Sequence, residues 1–227
     1  DDDLVDGTVS STITVSVDDA NSDDDFDGVA DQTVSVSTTD DDVAGFTITE
    51  TEGSTTVTEA GSTDTFDVVL NAQPDSNVVL TISSSDTGES TVHGSTPSNN
   101  TITFTSANWD TPQAFTVTGV DDDLVDGTVS STATVSVVDA VSDNNFDGVA
   151  DQTVTASTTD DDVAGFTVAE TEGSTSVTEA GGTDTFTVVL DAQPDSDVVL
   201  SIISSDTGEA TVTSSLTFTS ANWDTAQ

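Results

Sequence analysis

Lysine and arginine are absent from all 227 residues, and so are cysteine, methionine and tyrosine. Without basic side chains, 44 acidic residues give a formal charge of −44, with one histidine, His93, as the only other titratable group. Salt bridges cannot relieve that charge, so solvent, salt or bound cations must. Binding to nucleic acid or insertion into a membrane is not expected: the charge repels phosphate, and no run approaches the ~20 apolar residues of a span. The lack of cysteine removes disulfides as a staple. Acid–base chemistry is left to carboxylate pairs, which recur along the chain and suit architecture better than an active site, so no enzyme is expected. Trypsin-like proteases, which need a basic residue before the scissile bond, find no cleavage point.

What is present is repetition. DDDLVDGTVSST at 1–12 returns at 121–132, and DDDVAGFT at 40–47 returns at 160–167. Farther along, TFTSANWDT at 103–111 matches 217–225, the second copy having lost six residues around His93. A deletion of that kind marks a tolerant surface loop and leaves His93 without a role. A period near 120 residues is too long for a solenoid repeat and suits one β-sandwich domain. The expected division is residues 1–42 as the end of one module, 43–162 as a complete module, and 163–227 as the start of the next. Supplying AFTVTGV (114–120) after Gln227 would restore the repeat, so the chain reads as a window on a longer tandem array.

Alternation with period two proposes the strands. TDTFDVVL (63–70) places Phe66, Val68 and Leu70 on one face, and NVVLTIS (77–83) does the same with Val78, Leu80 and Ile82. TITFT (101–105), QAFTVTGV (113–120) and STATVSV (131–137) follow the same rule, as half-buried antiparallel strands require. With VAGFTIT and DQTVTAS the count is seven, an all-β, two-sheet sandwich.

The acids fall in clusters. Asp40, Asp41 and Asp42, repeated as Asp160, Asp161 and Asp162, lie at the joints between modules. Three adjacent aspartates repel one another unless something neutralises them. A hard cation such as Ca²⁺ takes six to eight oxygens and fits them; the bland reading is a solvated acidic surface. A second pattern, Asp23-x-Asp25-x-Asp27-Gly28-x-x-Asp31, has the D-x-D-x-D-G start of a calcium loop. It recurs as Asp143, Asn145, Asp147 and Asp151. Val34 and Val154 stand at its twelfth position, so it is no EF-hand, and a solvated hairpin turn is the alternative.

VTEAGSTDTFDVVLNAQPDSNVVLTISSSDTGE followed by TFTSANWDTPQAFTVTGVDDDLVDG resembles the Calx-β-like repeats of giant bacterial surface and adhesin proteins. The resemblance implies a seven-stranded, Ig-like sandwich that binds calcium at one tip, with modules strung head to tail. It implies calcium ligands at Glu59 and Glu179 in VTEAG, and at Asp86 and Asp206 in SDTGE. It also implies Asp121, Asp122, Asp123 and Asp126 in the acidic loop, and Asp160, Asp161 and Asp162 in the terminal run. The chain departs from the family in having Asp126-Gly127 where glutamates are usual. Calcium at the terminal run, with Asp122 or Asp126 and Glu59, would lock each module to the next, and Glu170 and Glu172 would reach it from the following module.

The leading expectation is a calcium-binding, extracellular stalk or filament at a cell surface, its partners being neighbouring modules. The alternative is an adhesin module that binds a glycan or another surface through calcium and the loop-tip residues Trp109 and Trp223; anchoring the end of the sandwich is the plainer role for those rings. Self-assembly into fibres is a third possibility.

Overall fold

The computed structural model describes residues 2–94, 96 and 98–227. Among them every regular element is a strand or a single 3₁₀ turn. Ser and Thr between apolar residues favour that outcome over helix. In the N-terminal segment, β1 (Val9–Val15) and β2 (Gln32–Thr38) form an antiparallel hairpin whose side chains are almost all exposed.

The central segment, residues 43–162, holds β3 (Phe46–Glu50), β4 (Thr55–Thr58), β5 (Thr63–Leu70), β6 (Val78–Ser84), β7 (Ser90–His93), β8 (Thr101–Phe104), β9 (Gln113–Gly119), β10 (Val129–Val137) and β11 (Gln152–Thr159). These make a four-stranded sheet ordered β3-β5-β9-β7 and a five-stranded sheet ordered β4-β11-β10-β6-β8. The segment therefore has nine strands and not the seven expected from alternation. The additional pair, β4 and β7, has four residues each and too few apolar positions to show a period. β4 is recruited by parallel pairing with β11, about a hundred residues away in sequence, and β7 by antiparallel pairing with β9.

Both sheets turn their alternating apolar residues onto one core. Phe66, Val68, Phe115 and Val117 come from one sheet, and Leu80, Ile82, Phe104 and Val135 from the other. The rings of Phe66 and Phe115 lie 5.8 Å apart, tilted to each other. Burying each such side chain is worth about 1.5–3 kcal/mol. Phe146, on the 3₁₀ turn Asn144–Phe146, is buried in the same core, and Trp109 packs against it half-exposed.

The C-terminal segment repeats only part of this. Its strands β12 (Phe166–Glu170), β13 (Phe186–Leu190), β14 (Val198–Ser201) and β15 (Ser215–Phe218) pair as β12-β13 and β14-β15. A small cluster of Val188, Leu190 and Phe218 is buried, with Trp223 against it.

Two equivalent contacts tie the segments together. Leu4 forms a parallel bridge with Gln73, and Leu124 forms the same bridge with Gln193. The Gln73 backbone N–H donates to the Asp3 carbonyl (2.6 Å), and the Gln193 N–H donates to the Asp123 carbonyl (2.7 Å). Val5 packs against the central core, and the Asn145 side-chain amide donates to the Val5 carbonyl (2.6 Å).

A candidate metal centre at one end of the central segment

Four chain segments meet at one end of the central segment. Glu59 follows β4, Glu89 precedes β7, Asp122 follows β9, and Asp160 and Asp162 follow β11. Strand pairing fixes their approach. The Glu59 N–H donates to the Thr159 carbonyl (3.1 Å), and the Val120 N–H donates to the Glu89 carbonyl (2.9 Å). Gly119 makes that approach possible: a Cβ there would lie 2.1 Å from the Thr58 carbonyl oxygen. The last residue of β9 thus passes directly over the strand end that carries Glu59.

Carboxylate oxygens of Glu59, Glu89 and Asp122 lie within 4.8 Å of one another, and so do those of Glu59, Asp160 and Asp162. Glu59 is common to both groups and is only 1% exposed. Neither of its side-chain oxygens has a hydrogen-bond partner, and Oε2 of Glu89 also lacks one. Burial pushes the Glu59 carboxyl up to about 7. The charges of Asp160, Asp122 and Asp126 push the same way, while the nearby Asp161 backbone N–H offsets part of the rise without making a hydrogen bond. Glu89 is raised by burial first, then by Asp126, Asp122, Asp86 and Asp160.

Asp160 is the exception. Its Oδ2 accepts from the Gly127 N–H (2.8 Å) and its Oδ1 from the Asp162 N–H (2.7 Å), and these bonds hold it below the usual carboxylate range. It stays an anion and pins the acidic loop to the joint. Gly127 reaches that position with φ +78°, a left-handed conformation that favours glycine. The N-terminal segment repeats the device: Asp40 accepts from the N–H groups of Asp42 (2.8 Å), Gly7 (2.7 Å) and Asp6 (2.9 Å).

The remaining expected ligands fall elsewhere. Asp121 and Asp161 line an open cleft beside Glu59, and Asp126 is exposed but close enough to act on both glutamates. Asp123 gives its carbonyl to Gln193. Asp86 accepts from the Gly88 N–H (3.0 Å) and meets Glu89 through charge alone. Glu179 and Asp206, like Glu170 and Glu172, are exposed, as are Asp41 and the loop residues Asp23, Asp25, Asp27 and Asp31. Asp143 is buried and already engaged: Oδ2 accepts from the Ser76 N–H (2.7 Å) and Oδ1 from the Asn145 N–H (2.9 Å). It caps the 3₁₀ turn that carries Phe146. Among the described residues, Asp147 and Asp151 join no carboxylate cluster with it. Two participants escaped sequence reasoning. Glu89 lies within the SDTGE motif, three residues past the aspartate that drew notice. Asp195 sits on the next segment, and its charge acts on Asp126 across the joint.

The donor set is all oxygen, contains no basic residue, and includes three buried carboxylate oxygens without partners. A buried anion is costly unless it is paired or coordinates a metal. The site therefore either takes up protons or holds a hard cation, and Ca²⁺ suits both the donors and their charge.

No protein-family model matches the chain, and no curated protein matches it. Among solved structures, similarity is found to the apo form of the Calx CBD1 domain, with TM-score 0.33 and 14% identity over 53% of this chain and 100% of that one. Domains 1–6 of the surface layer protein SbsC match with TM-score 0.37 and 15% identity, over 85% of this chain and 22% of that one. A Bacteroides ovatus GH5 xyloglucanase matches with TM-score 0.32 and 13% identity, over 50% of this chain and 18% of that one. Likeness at this level joins β-rich chains of unlike activity, so the site is read from its own residues.

Proposed function

We propose that this chain is part of a calcium-binding structural repeat, residues 43–162 being the repeating unit, in an extracellular stalk or filament. The observation that carries the reading is Glu59: a carboxylate 1% exposed, without a hydrogen-bond partner, where four acidic segments converge. In a chain with no lysine or arginine, only a proton or a metal relieves it. Glu59, Glu89, Asp122, Asp160 and Asp162 would hold the ion, which would supply charge neutralisation and cross-linking of the four segments.

The position of the site supports a stiffening role. Asp122 Oδ1 accepts from the Leu124 N–H (2.8 Å), and Leu124 is the residue that bridges to Gln193 of the next segment. Fixing Asp122 therefore fixes the loop residue that bridges to the next segment. Extracellular modules bind calcium at roughly 10⁻⁴–10⁻³ M, a level met outside cells, and the lack of tryptic sites suits the same setting. Trp109 and Trp223 pack against the cores, which favours anchoring over a glycan platform.

The test is small-angle scattering of the chain during calcium titration. Maximum dimension is expected to rise as the joints stiffen, with magnesium substituting poorly. A scattering curve indifferent to calcium would sink the stalk mechanism.

A further inference from the structure

The sequence holds one Asn-x-Thr triplet, Asn99-Asn100-Thr101, and no Asn-x-Ser. The triplet overlaps the six residues that set the central segment apart, since ATVTSSLTFT (210–219) runs through the same place without them. It ends the loop between β7 and β8, each the outermost strand of its own sheet. Thr96, Ser98, Asn99 and Asn100 are exposed there. Backbone and side chain hold the triplet in place. The Asn100 side-chain amide donates to the Ile82 carbonyl (3.2 Å), and the Ile82 N–H donates to the Asn100 carbonyl (2.9 Å). The Asn99 N–H donates to the Thr96 carbonyl (2.9 Å), and its carbonyl accepts from the Gly94 N–H (2.7 Å). Gly94 permits that closure, because a Cβ there would collide with the Thr101 carbonyl oxygen. Oδ1 of Asn99 accepts from the Thr101 hydroxyl (2.7 Å) and the Thr101 N–H (3.2 Å). The amide is thus fixed through its oxygen by the residue that completes the triplet. Its Nδ2 has no hydrogen-bond partner among the described residues.

We propose that Asn99 is a site of N-linked glycosylation, taking an oligosaccharide from a polyprenyl-diphosphate carrier. An exposed Asn-x-Thr in a surface loop of an exported chain is the substrate such transfer needs. Asn99 Nδ2 forms the bond to the anomeric carbon of the sugar, and the bond from that carbon to the diphosphate oxygen breaks. The polyprenyl diphosphate leaves with the electron pair, and one amide proton passes to solvent. Charge singles out the same place. The carrier is an anion, which most of this chain repels. Between Glu89 and Asp110 there is no acidic residue, the longest such interval in the sequence, and Asn99 lies midway along it. The attached sugar stands beside the free edges of β7 and β8 and blocks strand addition there. The inference rests on the extracellular setting proposed above and on nothing at the calcium site, since Asn99 belongs to neither carboxylate group.

The test is mass spectrometry of the chain as its own cells produce it. Trypsin has nothing to cut, but a protease that cleaves after acidic residues frees 90–110 as one peptide. That peptide is expected to carry one added oligosaccharide. An amidase that cleaves the bond between asparagine and sugar should remove it and leave aspartate at position 99. Asn99→Gln, at an exposed position, should lose all of the added mass, with the melting of the central segment little changed. Thr101→Ser, which keeps the hydroxyl, should retain the sugar. An exported chain whose 90–110 peptide has only its unmodified mass overturns this inference alone. An unmodified chain retained in the cytosol overturns the extracellular setting with it. Sugar on the peptide that survives Asn99→Gln also overturns the proposal, because the attachment then lies on a Ser or Thr hydroxyl.

Discussion

Glu59 and Glu179 occupy the same pentapeptide, VTEAG, in very different surroundings. Glu59 is enclosed by β11 and the acidic loop, whereas Glu179 lies open beside Glu209 along an exposed cleft. The segment before Glu59 is a strand because β11 pairs with it, while residues 175–178 form none. Local sequence is thus not what buries the glutamate or raises its proton affinity. The closing hairpin does both, joining the core and the acidic centre in one cooperative unit.

That contrast is breakable by mutation. The largest expected effect is in the core: Phe66→Ala should destabilise the central segment by ~3–5 kcal/mol, and Phe186→Ala, at the half-buried counterpart, by well under that, as read in chemical denaturation. Calcium comes next. With a dissociation constant of ~10⁻⁴ M, a hundredfold excess of free ion stabilises by about 2.7 kcal/mol, which is roughly 10 °C in the melting temperature of a domain this size. Glu59→Gln should abolish that rise, while Glu179→Gln should leave it intact.

An effect of comparable size concerns pH. A carboxyl raised in the folded state binds more protons folded than unfolded between its two pKa values, so stability falls as pH rises through that interval. For Glu59 the interval runs from 4.5 to about 7. In chelator, the melting temperature of the chain should therefore decline from about pH 4.5 to pH 7 and flatten above. Glu59→Gln should remove most of that slope, and calcium should stabilise more at pH 7 than at pH 5. The smallest effect is at the joint. Asn145→Asp, which restores the residue found at Asp25, loses the donor to the Val5 carbonyl, worth about 1 kcal/mol. It should loosen the N-terminal segment, measured as amide exchange at Val5, without shifting the main melting transition.

Strands with two or three alternating apolar residues were legible from sequence because period-two patterning and burial are one signal. β4 and β7 were not legible. Thr55–Thr58 has one aliphatic residue, Val57, and its partner is remote in sequence, so only tertiary pairing defines it. At the acidic centre, Glu59, Asp122, Asp160 and Asp162 stood out through the family resemblance and their clustering. Glu89 did not, because its burial depends on Val120 and Thr158 closing over its carbonyl. Asp143 illustrates the converse: in sequence it opens a D-x-N-x-D-G loop, and in the fold its oxygens are taken by N–H donors of Ser76 and Asn145. A carboxylate's sequence spacing does not reveal whether a backbone amide reaches it first.

The most direct measurement is isothermal calorimetry of calcium binding to the chain, to Glu59→Gln and to Glu179→Gln under identical ionic strength. The account expects saturable binding by the parent chain and by Glu179→Gln, with the Glu59→Gln variant losing the tightest step. Equal binding by all three, or heats that never saturate, would mean that the carboxylates gather only a diffuse ion atmosphere, and the metal centre would be contradicted.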